Sequence, residues 1–220
     1  MTRIAVDQNK DMLGVIDVQP TFMEGGELPV PDGAAVVPVI NRLLHHRFRN
    51  AFATQDWHPP HHSSFASRHP GREPYEQLAM PYGPQILWPD HAIQNTPGAA
   101  LHPALDQHRI EIIIRKGWRP EIDSYSAFLE NDGRTSTGLK GILRDRSIER
   151  LFLAGLAADF CVAWSARHAV EFGFQVFVIL DGVRGIGLPT PDGADTIIEA
   201  HAELHRLGVR FIRSDDLDGY

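Results

Sequence analysis

Apolar residues along the chain keep two rhythms in alternation. Short continuous runs rich in Val, Ile, Leu and Phe stand at 12–16, 50–54, 110–115, 150–155, 175–180 and 210–212. They are too short for helices and suit strands buried on both faces. Between them, 34–48, 138–146, 160–172 and 192–207 carry apolar residues at spacings of three and four, the stripe of a helix that covers a sheet. This alternation predicts an α/β fold with three layers, α/β/α, built around a six-stranded parallel sheet of Rossmann-like kind. Turn and cap residues agree with it: Asp32-Gly33 precede the first helix and Thr190-Pro191-Asp192 the last.

One segment breaks the rhythm. Residues 57–108 are rich in Pro, Gly, Ser and polar side chains, hold few apolar runs, and contain seven of the twelve histidines. Long ordered loops in compact domains usually carry function, so 57–108 reads as a working insertion within one domain spanning 1–220. The acidic stretch 214–220 reads as a frayed tail.

Charge and cysteine content narrow the partners. With 21 basic and 28 acidic residues the formal charge is -7, and no basic block stands out. Nucleic acid and anionic membrane are therefore poor partners. Residues 1–10 carry charge but no apolar core of a signal peptide, and no apolar run approaches the length of a bilayer span. The expectation is a soluble, cytoplasmic protein that acts on a small molecule, and homo-oligomer formation is compatible with the sequence. Cys161 is the only cysteine, so no disulfide forms within the chain, and its thiol is either packing or a reactive group.

In an open parallel sheet, ligands bind outside the carboxyl ends of the strands. The polar residues that follow the apolar runs are Asp17, Asp56 with His58, Lys116, and Asp159 leading into Cys161 at the start of a helix. Asp17 and Lys116 directly follow buried strands, where an unpaired charge is costly, so they are expected to pair with each other near a site. A thiol in the first turn of a helix feels partial positive charge and free N–H groups, which favour thiolate. Asp56 and His58 lie two apart in extended chain and share a side, as two ligands of one metal ion would. His91 is a candidate third ligand, with His61, His62 and His69 as spares, and spacing does not choose among them.

At these residues the chain resembles the nicotinamidases (pyrazinamidases) of the isochorismatase-like cysteine hydrolase superfamily. The motifs are Asp17-Val18-Gln19 with Phe22, Thr54-Gln55-Asp56-Trp57-His58-Pro59, Trp88-Pro89-Asp90-His91, Thr96-Pro97-Gly98, Arg115-Lys116-Gly117, Asp123-Ser124-Tyr125-Ser126-Ala127-Phe128 and Gly155-Leu156-Ala157-Ala158-Asp159-Phe160-Cys161-Val162. They span the chain from about residue 12 to the last strand. The resemblance implies an isochorismatase-like fold and hydrolysis of nicotinamide, and of pyrazinamide, to the acid and ammonia. It makes Asp17, Lys116 and Cys161 a catalytic triad, and Asp56, His58 and His91 ligands of one divalent metal, zinc first, with iron or manganese as alternatives. His62 matches a histidine that ligates in some members only and is left outside the ligand set.

Phe22 and Trp88 match aromatic residues that clasp the pyridine ring, and Tyr125 matches one lining the same pocket. The resemblance further implies a cis peptide between Leu156 and Ala157, and an oxyanion hole formed by the amides of Ala157 and Cys161. Pro20, Thr21, Ala92, Asn95, Ala158 and Phe160 depart from the common pattern without removing a triad residue or a ligand. A related amidohydrolase acting on another small amide, with or without metal, is the alternative. Two further alternatives are a redox-sensing metal protein without catalysis and a metal-free vinyl ether hydrolase.

Overall fold

A computed structural model describes residues 3–191 and 193–218. In chain order the elements are β1 (Asp11–Ile16), α1 (Val36–His46), β2 (Ala51–Asp56), β3 (Gln77–Met80), β4 (Gly83–Ile86), β5 (Ile112–Lys116), α2 (Leu139–Asp145), β6 (Arg150–Leu156), α3 (Cys161–Glu171), β7 (Gln175–Arg184), α4 (Thr196–Arg206) and β8 (Arg210–Ile212). Six strands form one parallel sheet in the order β5-β2-β1-β6-β7-β8, as the apolar runs predict. From β1 the chain moves through β2 to β5, then returns to β6 on the other side of β1. Right-handed crossovers in opposite directions place α1 on one face and α3 and α4 on the other.

Every residue of β1 and β2 is buried, which explains why their sequences show no polar alternation. Phe152 of β6 stacks on Phe177 of β7 at 4.4 Å and meets Phe48 at 5.0 Å, anchoring the middle of the core. Gly155 sits where β6 shifts register against β7. Its φ is +120, and a Cβ there would stand 2.0 Å from the Ile16 carbonyl oxygen, so only glycine lets β6 approach the end of β1.

Four expectations need correction. The insertion contains an antiparallel hairpin, β3 with β4, which polar composition and Pro84 conceal. The last helix is capped by Asp195, whose side chain accepts from the Ile198 amide; Asp192 lies outside the described residues. Asp32 makes no side-chain cap and instead pairs with Arg184. The tail is docked through residue 218: Leu217 is buried, the Ile4 amide donates to the Asp216 carbonyl oxygen and the Asp218 amide to that of Ile4, and Ser214 donates twice to Asp181. Residues 219 and 220 lie outside the described residues. No helix among the described residues is long and apolar enough to cross a membrane.

Candidate active site

Four neighbouring strand ends deliver the polar residues to one rim. Register places Asp56 of β2 beside Lys116 of β5, Asp17 follows β1, and β6 leads through Ala157 to Cys161 at the start of α3. The return of the chain between β1 and β6 makes this the switch point of the sheet, where a crevice opens. The structure thus brings Asp17, Lys116 and Cys161 together, as expected.

Lys116 is fully buried. Its ammonium stands 2.8 Å from Asp17 Oδ2, 2.5 Å from Asp56 Oδ1, 2.9 Å from the Ser124 carbonyl oxygen and 3.3 Å from Cys161 Sγ. The Asp17 contact is an ion pair by distance without an aligned hydrogen bond, since Oδ2 has no donor in line. Asp17 Oδ1 accepts from the Thr54 hydroxyl at 2.5 Å, and that hydroxyl accepts from the Asp17 amide. Asp17 holds φ at +46, a left-handed conformation unusual for a non-glycine residue.

Burial and the nearby Asp56 raise the Asp17 carboxyl above its ordinary range, against the lowering effect of Lys116. Burial also pushes Asp56 up, but the Lys116 ammonium and the imidazoles of His58 and His91 outweigh it and hold Asp56 well below. Lys116 stays charged because the two carboxylates overcome its desolvation. At Cys161 the pull toward thiolate is opposed: burial pushes the thiol up, Lys116 lowers it, and Asp17 and Asp56 add to the rise. The sulfur and the Asp17 carboxyl lie within 4.8 Å of each other, close enough for the carboxylate to take the thiol proton.

The Leu156–Ala157 bond is cis. The amides of Ala157 and Cys161 donate to no acceptor among the described residues, leaving two N–H groups free at the head of α3. Beside them opens a narrow cavity, walled by Phe22, Trp88, Tyr125, Phe160 and Ile186 and reaching Cys161, Asp56 and His91. Trp88 meets Phe160 edge to face at 5.0 Å and donates to the Tyr125 hydroxyl at 3.0 Å. A recess between β7, β8 and α4, lined by Val178, Leu180, Ile197 and Phe211, has neither a thiol nor converging acids and offers no comparable chemistry.

Asp56, His58 and His91 bring ligand atoms within 4.8 Å of one another. His91 Nδ1 faces the Pro89 carbonyl oxygen at 2.8 Å, leaving Nε2 3.5 Å from Asp56 Oδ2. Two ligands about 2.1 Å from a tetrahedral ion stand about 3.4 Å apart. His58 is fully buried, yet its Nδ1 has no partner, the signature of a nitrogen kept for a ligand. This donor set fits one divalent cation. His62 uses both nitrogens elsewhere, on the Ser64 hydroxyl at 2.7 Å and the Ile122 carbonyl oxygen at 3.2 Å, and burial pushes its pKa down to about 4. The grouping of Asp17, Asp56 and Cys161 already surrounds a cation, the Lys116 ammonium.

Several residues visible in the sequence motifs shape the site through contacts that only the fold shows. The Gln19 side chain donates to the Asp56 and Ala99 carbonyl oxygens and accepts from the Asp56 amide, locking the end of β2. The Thr21 hydroxyl accepts from the Ala92 amide, so this departure from the common pattern ties the first loop to the His91 segment. Asn95, where glycine is frequent, holds φ at +64, which asparagine tolerates better than most residues. Asp159 accepts from the Ile186 and Gly187 amides and the Thr196 hydroxyl, pinning the wall that carries Ile186.

The isochorismatase domain matches residues 11–204. A nicotinamidase of Acinetobacter baylyi is 44% identical over 209 residues, covering 95% of each chain. Among solved structures, a nicotinamidase/pyrazinamidase of Acinetobacter baumanii superposes with a TM-score of 0.90 at 46% identity, covering 96% of this chain and 98% of that one. A pyrazinamidase of Pyrococcus horikoshii in complex with zinc superposes with a TM-score of 0.73 at 31% identity, covering 93% and 99%. With a domain match over most of its length, and relatives this similar along nearly all of it, the chain belongs to the isochorismatase family, in its nicotinamidase/pyrazinamidase group.

Proposed function

We propose that this protein is a nicotinamidase that hydrolyses nicotinamide to nicotinate and ammonia and accepts pyrazinamide, with Cys161 as nucleophile, Asp17 as proton carrier and Lys116 as the cation between the two carboxylates. One observation carries this reading: the Cys161 thiol stands 3.3 Å from an ammonium that itself lies 2.8 Å from Asp17. The names of the relatives supply the substrate class.

A carboxamide is a poor electrophile with a poor leaving group, so it needs a strong nucleophile, charge stabilisation and a proton for ammonia. Asp17 takes the thiol proton as sulfur attacks the carbonyl carbon. The oxygen that becomes negative sits against the Ala157 and Cys161 amides. The C–N bond then breaks, Asp17 returns the proton to the departing nitrogen, and a nicotinoyl thioester remains. Water adds to the thioester, the C–S bond breaks, and nicotinate leaves with the thiol restored. Lys116 holds Asp17 in place and steadies the thiolate, while Phe22, Trp88 and Tyr125 flank the pyridine ring.

Asp56, His58 and His91 would hold a divalent metal, taken as zinc from the zinc-bound pyrazinamidase neighbour. When bound, this metal supplies an electrophilic anchor for the ring nitrogen of the substrate. The 57–108 insertion, which contributes both histidines, acts as the metal-binding segment. Ammonia release from nicotinamide, measured for the protein, for Cys161→Ala and after chelator treatment, tests the reading. Release that needs both the thiol and the metal is expected. No release from zinc-loaded protein overturns it in favour of another small amide.

A further inference from the structure

We propose that Asp123 is a positioning residue that turns the His58 ring to present Nδ1 to the metal, and that Gln85 couples this metal cradle to the aromatic wall of the substrate pocket. The proposal rests on the reading of Asp56, His58 and His91 as a metal site.

Asp123 is buried, with Oδ1 2.9 Å from His58 Nε2. A carboxylate only accepts, so His58 carries its proton on Nε2 and keeps a lone pair on Nδ1. That Nδ1 is the buried atom with no partner. Room for the ring on this side depends on Gly117, where a Cβ would lie 2.7 Å from His58 Nε2. Gly117 thus leaves the space in which Asp123 orients the imidazole. Carboxylates that accept from a ligating histidine fix its tautomer and strengthen it as a ligand.

Asp123 is itself held by two donors, the Ser124 amide at 2.8 Å and the Gln85 side-chain amide at 3.0 Å. Gln85 comes from β4 in the insertion hairpin, and it is 1% exposed. Gln85 Nε2 also lies 2.9 Å from the Tyr125 hydroxyl, which accepts from Trp88 Nε1, and 2.7 Å from the Ile86 carbonyl oxygen. Gln85 Oε1 accepts from the Tyr82 hydroxyl and the Asn131 side chain, which determines which end of the amide faces Asp123. One polar chain therefore runs from His58 through Asp123 and Gln85 to Tyr125 and Trp88. The hairpin does more than enclose the pocket: its glutamine joins the group that aims the metal ligand to the groups that flank the substrate ring.

Stripped protein is titrated with zinc alone against a chromophoric chelator, and nicotinamide kinetics are run at saturating zinc. Asp123→Asn, close in shape to the original, is expected to weaken zinc binding by about 10–100-fold and to shift the visible spectrum of the cobalt-substituted protein. Gln85→Leu is expected to weaken zinc by roughly 3–10-fold, and to raise KM for nicotinamide by a similar factor with kcat little changed. If Asp123→Asn does not fold, the zinc affinity of Gln85→Leu decides. Wild-type zinc affinity in Asp123→Asn, with affinity lost in His58→Ala, overturns the positioning role while the metal site stands. Wild-type affinity in His58→Ala overturns the metal site and the inference together. A Gln85→Leu protein unchanged in both zinc affinity and KM overturns the coupling to the aromatic wall.

Discussion

Replacing Lys116 by methionine removes the cation from a site that holds two buried carboxylates. With an effective dielectric of about 20, a unit charge at the observed 2.5–2.8 Å attracts each carboxylate by about 6 kcal/mol. Desolvation of the buried ions offsets several kcal/mol apiece. The net loss on removing one partner of such a buried cluster is about 3–5 kcal/mol. This is a large part of the stability of an ordinary domain, about 5–15 kcal/mol.

The penalty depends on pH, and its sign follows from Asp17. Its carboxyl is already raised above the ordinary range, so the native protein binds that proton more tightly than the unfolded chain does. Ionised Asp17 therefore costs stability at high pH, and this cost fades as pH falls through the raised pKa. Without Lys116 the Asp17 carboxyl rises further and Asp56 loses the main charge that holds it low. The Lys116→Met penalty is thus greatest in weakly alkaline solution and shrinks on acidification. Urea unfolding of metal-free wild type and Lys116→Met at about pH 8 and about pH 5 measures it, with unchanged m-values required. A difference below about 1 kcal/mol, the worth of a surface ion pair, refutes the reasoning, as does a penalty that grows on acidification.

Three further outcomes follow from named contacts. Thr54→Val removes the hydroxyl that bonds Asp17 at both its amide and its carboxylate; kcat/KM for nicotinamide is expected to fall about tenfold or more, with an acid limb displaced to higher pH, as stopped-time ammonia assays would show. Trp88→Ala opens the wall against Phe160 and Tyr125 and is expected to raise KM more than it lowers kcat, by a factor read directly from initial rates. Asp181→Asn weakens the anchor of Ser214 and is expected to cost about 1 kcal/mol in urea unfolding at neutral pH. Burial pushes the Asp181 carboxyl up but the two Ser214 bonds outweigh it and hold it low, so its contribution is present above the ordinary carboxylate range and disappears as pH falls through the depressed value.

Six strands and four helices were legible because their apolar residues follow the periods that burial imposes, and strand-end geometry then points to Asp17, Asp56, Lys116 and Cys161. The β3–β4 hairpin was not, because a short polar pair containing Pro84 has no apolar alternation to betray it. β7 runs to Arg184 through Asp181-Gly182, a dipeptide that reads as a turn; neighbouring strands override that local preference. The balance at Cys161 also escaped, since the helix terminus and Lys116 are visible in the motif whereas the depth of burial that pushes the thiol up is not. Gln85, Asp123 and Thr54 belong to separate segments, and only the folded chain shows that they meet around one histidine or one aspartate.

The central pair of strands also has a consequence for how the protein is made. β1 shares its hydrogen-bonded edges with β2 and β6, and the Asp11–Arg150 contact that closes the second edge joins residues 139 apart in sequence. At ordinary rates of synthesis, roughly 5–20 residues per second, β6 emerges about 5–20 s after β2. During that interval one side of a strand that is entirely buried in the finished fold has no native neighbour to pair with. Such an edge adds strands from any chain that offers one, so the nascent protein is exposed to misassembly until its last third arrives, and Cys161 arrives only with that closure.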